Sequence, residues 1–115
     1  MHTDLKLNQI TNEVTQEVQS ILGDKLHKII LYGSYARGDY NSESDVDIMV
    51  LADIIDDEKR LFQKAIDKIA SNVSLDNDIT VSILLRDMSL FNLRTGFVPF
   101  YRNVLTEGVE LYAAQ

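Results

Sequence analysis

The stretch LYGSYARGDYNSESDVDIMV, residues 31–50, constrains the fold of this chain more than any other. It ends one short β-branched apolar run, KIILYG (28–33), and opens a second, VDIMVL (46–51). Both runs read as strands, joined by a polar link that contains Gly38. Glycine directly after a strand, here Gly33, lets a backbone approach a ligand with no Cβ in the way. Ser34 heads the short YARGD segment, where it can cap a helical turn and offer a hydroxyl. The free N–H groups of such a turn favour an anion such as phosphate.

Asp45 and Asp47 are two apart on the second strand, so both carboxylates project from one face while Val46, Ile48 and Val50 enter the core. Two hard anionic donors on a rigid strand suit magnesium held together with substrate phosphates. A metal there clamps attacking and leaving oxygens during displacement at phosphorus. Its charge also lets an acidic site hold a triphosphate.

Three familiar loops are excluded. Gly33 and Gly38 have P-loop spacing, but Asp39 and Tyr40 stand where lysine and a hydroxyl residue are required. A calcium loop starting at Asp39 would need glycine at its sixth position and glutamate at its twelfth; Ser44 and Val50 occupy them. The third glycine of a dinucleotide-binding fingerprint is missing.

The rest of the chain supplies a frame for these two strands. Leu7, Ile10, Val14, Val18, Ile21 and Leu22 recur at helical steps, with Gly23 placed to end that helix. Phe62, Ala65, Ile66, Ile69, Ala70 and Val73 mark a second helix over roughly 56–73. In DITVSILL (78–85), Ile79, Val81 and Ile83 alternate with Asp78, Thr80 and Ser82, the period of a third strand. Asp87 is placed to cap a short helix through Arg94, and Pro99 to open a last helix ending at Gly108. Phe97, Tyr101, Val104 and Leu105 are expected to face the core, and VELY (109–112) reads as an edge strand. The order helix–strand–strand–helix–strand–helix describes a compact α/β sandwich.

At 115 residues the chain is expected to form one domain, 1–115. It has no cysteine, which rules out disulfide and zinc-thiolate chemistry and suits the cytoplasm. No apolar run approaches the ~18 residues of a membrane span. The net charge of −7, with no lysine or arginine cluster, makes nucleic-acid binding an unfavourable expectation.

Gly33-Ser34, ten residues, then Asp45-x-Asp47 resembles the signature of the DNA polymerase beta-like nucleotidyltransferase superfamily. With ILYGSYARG, SDVDIMVL and NVLTEGVELY around it, the chain is similar to the minimal nucleotidyltransferases (MNT) over about residues 28–112. The resemblance implies an α+β fold, a small mixed β-sheet packed against helices in a single domain. It implies transfer of a nucleotidyl group from ATP or another NTP with two Mg2+ ions. Gly33, Ser34 and Arg37 would then hold phosphates, and Asp45 and Asp47 the metals. The superfamily's third carboxylate lies on a later strand, and Asp78 is the residue the sequence offers for it, on the same face as Thr80 and Ser82. If the position falls on either of those, the third acid is missing. The acceptor implied is a tyrosine of a partner HEPN toxin, with the chain as antitoxin. Two alternatives stand beside this: an inactive module that neutralises its partner by binding, and a small-molecule nucleotidyltransferase assembled as a homo-oligomer.

Overall fold

A computed structural model describes residues 2–114, with side chains from Leu5 onward. Helical periodicity makes α1 (His2–Leu22) one-sided, and Ile10, Val14, Val18 and Leu22 are all buried. A 3-10 turn, Gly23–Lys25, leads into β1 (Leu26–Tyr32), which stops one residue short of Gly33. After α2 (Ser34–Arg37) and a polar loop come β2 (Val46–Ala52) and α3 (Asp56–Asn77), four residues longer than its apolar periodicity. The chain continues through β3 (Val81–Asp87), α4 (Met88–Arg94), α5 (Pro99–Glu107) and β4 (Val109–Ala113).

The sheet order is β3-β2-β1-β4. β1 runs antiparallel to β2 and β4, whereas β2 and β3 are parallel and joined by α3, so the sheet is mixed. One face carries Ile29, Leu31, Ile48, Val50, Ile83 and Leu85 into the main core, which α1 and α3 cover. On the other face Ile30, Met49 and Leu51 pack with Phe91 of α4 and with Tyr101 and Val104 of α5. β2 is therefore apolar on both faces for most of its length. Asp47 shares the second face but, at the start of the strand, is only half-buried.

The second layer is thinner than the periodicity of residues 97–105 suggests. Tyr101 and Val104 are buried, but Phe97 and Leu105 are 68% and 47% exposed. Phe97 precedes the helix, in the connection before Pro99. Leu105 lies at the margin of a short helix that turns only a narrow stripe toward the sheet. β4 is an edge strand, as read from VELY. Gly108 admits it: a Cβ there would collide with the Val104 carbonyl oxygen and the Ile30 side chain.

Candidate active site

β1 and β2 are registered so that Tyr32 lies opposite Asp47, with Gly33 just beyond the end of the ladder. Gly33 adopts φ 78°, ψ −157°, a conformation that side-chain-bearing residues rarely take. Its carbonyl accepts the amides of Ala36 and Arg37, each at 3.1 Å, closing the turn into α2. A Cβ built on Gly33 would stand 2.5 Å from Asp47 Oδ2. Absence of a side chain is thus what lets the turn lie against the carboxylate. Ser34 is the first residue of α2, not its side-chain cap; Gly33 holds the cap position and no side-chain cap bond forms. The first amides of the turn have no acceptor within the helix.

The loop into β2 is shaped by its own polar side chains. Asn41 Oδ1 accepts the Glu43 amide at 2.8 Å, and Ser44 Oγ accepts the Asn41 amide at 2.9 Å. Alternating oxygen-bearing residues here turn the chain and aim it into the strand. Asp39 is paired with Arg37 Nε at 3.1 Å, and Arg37 Nη1 also lies 3.7 Å from Glu107 of α5. These carboxylates raise the Arg37 pKa, the Asp39 hydrogen bond most of all.

Asp45 is exposed at the threshold of β2 and Asp47 lies two residues on. Burial raises the pKa of Asp47; the Asp45 carboxylate raises it further, while the Arg37 guanidinium opposes both. The site is therefore short of positive charge around two close carboxylates. That donor set of hard oxygens, with a backbone turn held against it, fits a magnesium–phosphate ligand. Tyr32, which sequence reasoning did not single out, borders the site; its hydroxyl is pushed up to about 12 by burial and by Asp47, against the Arg86 guanidinium. Tyr35 stacks on Tyr40 with centroids 4.3 Å apart, and burial, Tyr40 and Asp45 all raise its pKa.

Asp78 falls elsewhere. Expected at the head of the third strand, it instead closes α3 in the left-handed conformation, φ 55°, three residues before β3. It lines a surface hollow with Ser74, Leu75, Ile79 and Thr80. Among the described residues, no three carboxylate or imidazole side chains are grouped to hold a metal ion. The β2–β3 register places Ser82 beside Asp47, on the same face of the sheet. The structure thus joins Gly33, Ser34, Asp45 and Asp47, with Arg37 within electrostatic reach, and leaves Asp78 out. Tyr32 becomes visible only through strand register, and register also selects Ser82 over Asp78 and Thr80 as the residue beside Asp47.

A mixed sheet with a glycine–serine turn held against an acidic strand defines a nucleotidyltransferase. The chain belongs to the polymerase beta nucleotidyltransferase family, whose description, "Polymerase beta, Nucleotidyltransferase", matches residues 12–115. A Methanocaldococcus jannaschii protein carrying the provisional name protein adenylyltransferase MJ0141 is 37% identical over 93% of this chain and 100% of its own length. A toxin–antitoxin crystal structure with AMP-PNP contains a similar chain at 27% identity and TM-score 0.60, covering 91% of this chain and 74% of that one. A structure of tri-AMPylated Shewanella oneidensis HEPN toxin in complex with MNT antitoxin is similar at 25% identity and TM-score 0.57, covering 94% and 73%.

Proposed function

We propose that this chain transfers AMP from ATP to a tyrosine hydroxyl of a HEPN-type toxin and so serves as its antitoxin in the cytoplasm. The observation that carries the reading is the contact between the Gly33 turn and Asp47, with Asp45 alongside. The adenylyltransferase name of the archaeal relative and the toxin complexes of the structural relatives support the donor and the partner class.

Asp45 and Asp47 would hold the Mg2+ ions, two in number, and the metal charge would offset that of the phosphates and of the leaving pyrophosphate. Gly33 and Ser34 present amides and a hydroxyl to the terminal phosphates, and Arg37 adds a guanidinium beside them. The tyrosine oxygen attacks the α-phosphorus as the bond to the bridging oxygen breaks; pyrophosphate departs and the phenolic proton passes to solvent.

The test uses ATP labelled at the α-phosphate, magnesium and a HEPN-type toxin. Label is expected on the toxin, and Asp45→Asn with Asp47→Asn should lower transfer on the order of 10²–10³-fold, the size of losing a preorganised electrostatic contact. Transfer that survives both substitutions would remove the proposal. A second reading, neutralisation by binding alone, is favoured by one observation: Ser82, not a third carboxylate, stands beside Asp47. It requires a stable complex with no label on the toxin even from the unaltered chain.

A further inference from the structure

A cavity of about 650 Å³ lies where β3 passes into α4, at the far end of the β2–β3 pair from Asp47. It is lined by none of the residues assigned to the nucleotidyl-transfer site. Lys59, Arg86 and Arg94 are among its lining residues. Among the described residues none of the three belongs to an ion pair, although the chain has eighteen acidic residues to eleven basic. The half-buried Arg86 is held in place: its Nε donates to Tyr101 Oη at 3.3 Å and its Nη1 to the Leu85 carbonyl at 2.9 Å. A guanidinium has five N–H donors, so most of this fork is left for a ligand.

Two carboxylates, Asp56 and Asp87, also line the cavity, so its three cations leave a net charge of +1. Asp87 accepts the Ile54 amide through Oδ1 and the Leu90 amide through Oδ2, each at 3.2 Å. Asp56 is exposed in the first turn of α3. Ile55 and Leu90 add apolar wall, and the volume falls in the range of small-molecule sites, well above what one phosphate fills. We propose that this cavity is a second nucleotide site, binding a nucleoside monophosphate with its phosphate on Arg86, Arg94 and Lys59. The assignment is independent of the adenylyl-transfer reading, since it uses other residues and requires no metal.

The test is an amide-shift titration of the full chain carrying Asp45→Asn and Asp47→Asn, in EDTA, with AMP, adenosine and inorganic phosphate as separate probes. AMP is expected to shift Lys59, Leu90 and Arg94, and the binding should weaken as salt is raised. Arg94→Ala with Lys59→Ala, both exposed and outside the core, should weaken AMP binding about tenfold. Arg86→Lys should weaken it too, because a point charge cannot replace a fixed fork. The proposal fails if millimolar AMP shifts nothing, or shifts only residues 33–37. It also fails if phosphate or adenosine alone binds as tightly as AMP.

Discussion

At the scale of single residues, Gly33 and Asp47 set limits on one another. Gly33→Ala combines a left-handed φ with a Cβ pressed onto the Asp47 carboxylate. It should cost about 1–3 kcal/mol of stability, read from denaturant unfolding, and should abolish transfer by displacing the turn. Asp47→Asn should do the reverse to the metal-free protein. The folded state raises the Asp47 pKa, so ionisation there opposes folding. That penalty is absent below the unfolded-state pKa and complete above the folded-state one. In EDTA the Asn variant should therefore melt above the unaltered chain at neutral pH, the difference shrinking as pH falls through the carboxylate range. Thermal melts across that range check it, and a variant less stable at neutral pH would contradict it. Asp78→Asn should leave transfer within about twofold, since its side chain belongs to the end of α3.

At the scale of elements, the join between β3 and α4 depends on one side chain. Asp87 caps α4 and also accepts the Ile54 amide from the chain leaving β2. Asp87→Ala should cost about 0.5–2 kcal/mol for the cap, and more for the Ile54 amide left without its acceptor. Chemical denaturation measures the sum. This element was legible because an acid before an apolar helical run is a local signal, as was Pro99 opening α5. The start of β3 was less legible: Asp78, Thr80 and Ser82 share a period of two, but α3 continues to Asn77 and ends with Asp78 in the left-handed region. Alternation does not say where a preceding helix stops when the turn residue itself fits the pattern.

At the scale of the whole molecule, the two acids lie at one end of the β2–β3 pair and the helices on both faces hold that arrangement. Ligand binding to the folded state should then raise thermal stability by mass action. Saturation to about a hundred times the dissociation constant gives roughly 2.7 kcal/mol, expected for Mg-ATP with the unaltered chain and lost with Asp45→Asn and Asp47→Asn. A melting-temperature series in Mg-ATP reads both. The sequence by itself determined the long helices, the cores of the strands, the Asp87 cap and the Pro99 start, and the spacing that marks Gly33, Ser34, Asp45 and Asp47, because each arises from neighbours along the chain. Only the tertiary structure decided that Ser82 and Tyr32, rather than Asp78, flank Asp47, and that Tyr101 is buried while Phe97 is not. Those outcomes depend on strand register and on which helix covers which part of the sheet, and both are set by hydrogen bonds and packing between segments far apart in sequence.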